Sequence, residues 1–99
     1  MANVWTFGTW TVKPGKEAEF VEAWSALARE GSTELAPPEP PTLLRDREQP
    51  NVFISFGPWA SDDDVARFRS SSAFRTAQDR MRNLLASFEP RTFDEVRRA

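Results

Sequence analysis

Histidine, cysteine and tyrosine, which carry much of the acid–base and nucleophilic chemistry of proteins, are all absent from this sequence. Without imidazole or thiolate, the chain has no ordinary ligand for a transition metal or haem iron and no Ser-His or Cys-His nucleophile pair. Proton transfer falls to Asp, Glu, Lys, water or the substrate itself. The richest segment left is residues 51–61, Asn-Val-Phe-Ile-Ser-Phe-Gly-Pro-Trp-Ala-Ser. It reads as an aromatic strand with one hydroxyl, Ser55, that runs through Gly57, Pro58 and Trp59 into a helix start at Ser61. A strand apolar on both faces must be covered on both. The chain's own helices can take one side, and a ligand, a second copy of the chain, or both must take the other.

Each candidate residue has a chemical reading and a plainer one. Trp59 is a wall for a planar ligand or a core ring packed on the second helix. Gly8 and Gly57 lie within strands, where glycine costs about 0.5–1 kcal/mol. They mark a bulge or a hollow, or they make room for a neighbouring tryptophan. Ser55, Arg45 and Arg91 are candidates for stabilising an enolate or phenolate, as an oxyanion hole does. The plainer reading of the two arginines is a solvated or cross-subunit ion pair with Asp46, Glu89 or Asp94. Asp62, Asp63 and Asp64 suit the positive end of a helix rather than a metal.

The elements that must position these residues follow from the pattern of apolar positions. Residues 4–12 are β-branched and aromatic and read as a first strand. A helix is expected over 14–29, with Phe20, Trp24, Leu27 and Ala28 on one face and Gly31 as its stop. Residues 32–41 carry Ala-Pro-Pro-Glu-Pro-Pro and read as a stiff extended loop. A short strand over 42–47 turns into the strand 52–59. Ser61 caps a second helix, with Asp64 approximating a capping box. Ser70, Ser71 and Ser72 interrupt it, and its continuation carries Phe74, Ala77, Met81, Leu84 and Leu85 as a stripe. Residues 87–96 close the chain as a strand, with Pro90 implying an edge or a bulge.

This order, β-α-β-β-α-β with the second helix interrupted, is the ferredoxin-like split-βαβ plan of the α+β class. It gives a four-stranded antiparallel sheet with helices on one face and the other face open. On the third strand Val52, Ile54 and Phe56 read as the helix side, and Phe53, Ser55, Gly57 and Trp59 as the opposite one. The first strand is mixed on both faces, so its orientation stays open.

Ninety-nine residues form one domain, residues 1–99. Four Trp and eight Phe are more than a small sheet and its helices readily hide, which favours a homodimer. The formal charge of −2, with basic residues scattered among acids, argues against nucleic acid or an anionic membrane as partner. No apolar run approaches the ~20 residues of a membrane span, and no signal segment opens the chain. A cytoplasmic location is the default.

The run Trp10-Thr-Val-Lys-Pro-Gly-Lys-Glu-Ala-Glu-Phe20, the strand ending at Trp59, and the spacing from Trp59 to Ser71-x-x-Phe74 resemble the antibiotic biosynthesis monooxygenase family, of the dimeric α+β-barrel superfamily. The likeness extends over about residues 3–96. It implies that two copies join their open sheet faces into a barrel, with each subunit's pocket between its own sheet and helices. Some members oxygenate polycyclic anthrones without metal or flavin: the substrate loses a proton and passes an electron to oxygen. Trp59 matches the tryptophan that borders the pocket. The position nine residues later, often His in the family, is Phe68 here, and the first-strand asparagine of many members falls at Gly8. Haem degradation through a His ligand is therefore excluded.

The expectation is a cofactor-independent monooxygenase with no metal, acting with O2 on a planar aromatic or polyketide-like substrate. Trp59 and Phe53 would hold the substrate plane, Gly8, Gly57 and Phe68 would border it, and Ser55 or an arginine would stabilise its deprotonated form. The alternatives are a non-redox cyclase or isomerase, and a non-catalytic ligand-binding protein of the same fold.

Overall fold

A computed structural model describes residues 4–35 and 37–99, with the side chain of residue 34 left out. The elements are β1 (Val4–Val12), α1 (Glu17–Leu35), β2 (Thr42–Arg45), β3 (Val52–Trp59), α2 (Asp62–Arg69), α3 (Ser72–Met81) and β4 (Leu85–Asp94). The four strands form one antiparallel sheet in the order β2-β3-β1-β4. Among the described residues no helix is long and apolar enough to cross a membrane.

Local chemistry explains most boundaries. Gly15, at φ +88°, turns the chain after β1, and its N–H donates to the Glu17 carboxylate at 2.9 Å, so α1 begins at Glu17 rather than Pro14. β2 stops at Arg45 because the Asp46 carboxylate accepts from the N–H groups of Glu48 (2.7 Å) and Gln49 (3.0 Å), a local turn that competes with the ladder. The Ser61 hydroxyl accepts from the Asp64 N–H at 3.2 Å and caps α2. Ser71 does the same for α3, accepting from Phe74 at 3.1 Å, so the serine run separates two helices. α3 ends at Met81. Leu84 lies in the following turn and Leu85 opens β4, so neither belongs to the helical stripe.

Two further expectations change in the structure, and the edge expected at Pro90 is met. Gly31 does not stop α1 but lies inside it, and residues 32–35 are helical rather than part of the loop. A Cβ at Gly31 would meet Cε1 of Phe68 at 2.7 Å, so this glycine lets an α2 ring rest on the α1 backbone. The sides of β3 are the reverse of the expected ones. Phe53, with 2% exposure, packs on Phe20 of α1, whereas Ile54 is 40% exposed on the open side. Pro90 sits on edge strand β4 directly opposite Gly8, and the register shift lies elsewhere, between Thr11 and Val12.

Register with β3 also settles β1. Val4, Thr6, Gly8, Trp10 and Val12 face the helices; Trp5, Phe7, Thr9 and Thr11 face away. Two packed clusters anchor the ends of the helix side. One contains Trp10, Val12, Phe20, Phe53 and Met81, and the other Val4, Trp59 and Val65.

Candidate functional site

Between those clusters the helix side of the sheet is made of small residues. Across β1 and β3 the facing pairs are Trp10 with Phe53, Gly8 with Ser55, Thr6 with Gly57, and Val4 with Trp59. Large side chains stand at both ends and small ones in the middle two rows. A closed core needs bulk there. Its lack leaves a cavity of about 400 Å³ between sheet and helices. The floor is Thr6, Gly8, Ser55 and Gly57; Trp10, Trp59 and Phe88 are ring walls. α1 contributes Trp24, Leu27 and Gly31 to the roof, while α2 and α3 supply Phe68 and Phe74. The proline-rich loop closes one side through Pro37, Glu39 and Pro41.

The floor is crowded even though it is low. A Cβ at Gly8 would fall 2.8 Å from Cε1 of Phe88, 3.1 Å from Nε1 of Trp10 and 3.3 Å from Oγ of Ser55. Gly8 therefore makes room for the Trp10 indole and the Phe88 ring, which stack at 3.9 Å between centroids. At Gly57 a Cβ would meet the Pro41 backbone at 3.1 Å, so that glycine lets the proline-rich loop cross the sheet. Both glycines border the hollow, yet the space above each is used by a neighbour.

Two indoles reach inward from the ends. Nε1 of Trp10 donates to Oγ of Ser55 at 2.8 Å, and Nε1 of Trp59 donates to Oγ1 of Thr6 at 2.9 Å. Trp59 is 9% exposed and its ring lies 5.1 Å from that of Phe68. It is thus both a core ring beside α2 and a cavity wall; the two readings describe one position.

The structure brings Gly8, Ser55, Gly57, Trp59 and Phe68 together around the cavity. Phe53 lies outside it, locked in the core between Phe20 and the Arg45 guanidinium, which stands 4.9 Å over its ring. Arg91 is on the open face of the sheet, 5.6 Å over Phe93. Neither arginine borders the cavity. Among the described residues neither pairs with Asp46, Glu89 or Asp94.

Sequence reading passed over Thr6, Trp10, Trp24, Phe88 and Glu39. The signal for the first two was present in the facing of β1 against β3, which puts small residues opposite small ones. Glu39 is the carboxylate that borders the cavity, on the proline-rich loop, with Arg98 at 3.7 Å.

The open face carries its own aromatic patch. Phe7 stacks on Phe56 at 5.5 Å and meets Phe93 edge-on at 5.1 Å. Phe7, Leu44, Ile54 and Phe93 are 37%, 51%, 40% and 44% exposed.

Residues 41–80 match the family model described as antibiotic biosynthesis monooxygenase. That span holds β2, β3, α2 and nearly all of α3. Solved structures share the fold along the whole chain. A proposed antibiotic biosynthesis monooxygenase from Caulobacter crescentus has a TM-score of 0.88 at 22% identity, covering 97% of this chain and 92% of that one. A mutant of SnoaB, a cofactor-independent oxygenase from Streptomyces nogalater, has 0.84 at 23% identity, covering 97% and 95%. A Pseudomonas aeruginosa protein has 0.85 at 18% identity, covering 98% and 97%. At these identities the likeness is one of fold. No curated protein matches the chain.

Proposed function

We propose, starting from the match of residues 41–80 to the antibiotic biosynthesis monooxygenase model, that this chain is a cofactor-independent monooxygenase of a planar, fused-ring phenolic or polyketide-like substrate. The observation that carries this reading is the ring-walled cavity of about 400 Å³, whose floor holds hydroxyls and no charge. Flat apolar rings fit between Trp59 and the Trp10–Phe88 stack. Water is displaced as they enter, which strengthens every polar contact inside.

In this reading the substrate is acidic at a ring carbon conjugated, across the ring, with a carbonyl. The proton leaves to water or to the Glu39 carboxylate at the loop, while the Ser55 hydroxyl stabilises the enolate oxygen. The carbanion gives one electron to O2, the two radicals combine as a hydroperoxide, and loss of water leaves a carbonyl. One oxygen atom stays in the product and the other departs as water, so the step needs no further reductant.

Oxygen uptake by metal-free protein, with an anthrone as substrate, tests the reading. One O2 consumed per quinone formed is expected, well above the uncatalysed rate, with a marked loss in Trp59→Ala. Anthrone that binds but turns over no faster than in buffer would instead support a ligand-binding protein, which the lack of a carboxylate on the cavity floor favours. A product of unchanged oxidation state, formed equally fast in sealed anaerobic vials, would point to an isomerase or cyclase.

We also infer a homodimer through the open sheet face. Its four large, exposed apolar side chains form a patch of the kind that marks an interaction surface.

A further inference from the structure

The two indole–hydroxyl pairs on the cavity floor have a directional consequence. A serine or threonine hydroxyl offers one donor and two acceptor sites. In this protein the oxygens of Thr6 and Ser55 each receive an indole N–H, at 2.9 and 2.8 Å. Neither hydroxyl donates to any group among the described residues. Both border the cavity, and both lie on the helix side of neighbouring strands. Their O–H hydrogens therefore remain available to an acceptor on the cavity floor once the ring walls are assembled. A hydroxyl that already accepts a hydrogen bond also donates more strongly, by roughly 10–30% per bond.

We infer that Thr6 and Ser55 form a paired donor site, each hydroxyl fixed and polarised by an indole, that recognises two oxygen acceptors on one flat ligand. Thr6 stands opposite Gly57 and Ser55 opposite Gly8, so the two residues are diagonal neighbours across the strands. Such neighbours are about 7–8 Å apart, with their Cβ atoms somewhat closer. That spacing suits two separate carbonyl or phenolate oxygens on a fused-ring frame better than one shared oxygen. Thr6 is the specificity element here. A ring system without oxygen, or with oxygen at one end alone, leaves a buried donor unmatched, and that selects against it.

The assignment deepens the proposed function but concerns binding, so it is measured without turnover. Quenching of tryptophan fluorescence, with oxygen excluded, gives the dissociation constants of 1,8-dihydroxyanthraquinone and of anthracene, the same frame without oxygen. The dihydroxyquinone is expected to bind the natural chain at least about tenfold tighter than anthracene. Thr6→Val and Ser55→Ala should each weaken the quinone about five- to tenfold and leave anthracene unchanged. Thr6→Ser, which restores the hydroxyl, should recover the lost affinity. Equal losses for both ligands would show that Thr6 only shapes the wall and would overturn the assignment. So would a Thr6→Val protein that discriminates as the natural one does, or a natural chain that binds neither probe. If oxygen uptake fails while the discrimination holds, the oxygenase reading falls and the donor pair stands.

Discussion

The two faces of this one sheet carry similar side chains and differ in what surrounds them. On the helix side Phe53, Phe88, Trp10 and Trp59 are enclosed by α1, α2, α3 and the proline-rich loop, and both indole N–H groups are spent on hydroxyls. On the open side Phe7 packs on Phe56 and Phe93, and Phe7 and Phe93 stay exposed among the described residues, while Trp5 donates to Glu95 at 2.8 Å. Composition alone does not separate the faces. Cover does, and it turns one aromatic surface into a cavity and the other into a surface suited to a second copy.

The largest effect that could break this contrast is in the core. Phe20→Ala removes a fully buried ring that touches both Trp10 and Phe53, and should cost about 3–5 kcal/mol in urea unfolding. Phe7→Ala, on a 37% exposed ring, should cost much less within a subunit. Equal costs measured at concentrations where the chain is monomeric would erase the distinction between the faces.

Next in size is the open face itself. Phe7→Asp puts a charge into the exposed ring cluster, and sedimentation should move from a dimer to a particle of the chain's own 11.3 kDa with its circular dichroism unchanged. If the natural protein sediments as a monomer, or the variant stays a dimer, the open face is not the contact.

The smallest effect sharpens the helix side. Gly31→Ala sets a methyl against the Phe68 ring, and overpacking of this kind costs about 1–3 kcal/mol. In a Phe68→Ala background the same change should instead stabilise by about 0.5–1 kcal/mol, the ordinary gain of alanine over glycine in a helix. A chemical-melt double-mutant cycle reads the reversal; the same sign in both backgrounds would mean that Gly31 is not there for the ring.

Much of this was legible in the residues. The bounds of β1 and β3, the serine cap at Ser61, the helix break at residues 70–72 and the edge position of Pro90 follow from local rules, because a turn, a cap and a missing N–H act within a few residues. Where local rules failed, a distant group decided. Gly31 reads as a stop by sequence, yet it lies inside α1, where the Phe68 ring of another helix occupies the space a side chain would fill. Arg45 and Arg91 read as charges near a site, but their places on the strands put one over Phe53 at the end of the sheet and the other on the open face.

The order of strands and helices, the lack of imidazole and thiolate, and the tryptophan at the end of β3 were determined by the sequence alone. Which side of the sheet the helices cover was not. Alternation divides each strand into two sets of residues, and a one-residue choice of face exchanges them. On β1 both sets are mixed, and on β3 the more uniformly apolar set, Val52, Ile54 and Phe56, pointed to the wrong face. Only the packing of α1 against Phe53 and Trp10 fixed that choice, and with it the row of Thr6, Gly8, Ser55 and Gly57 that forms the cavity floor.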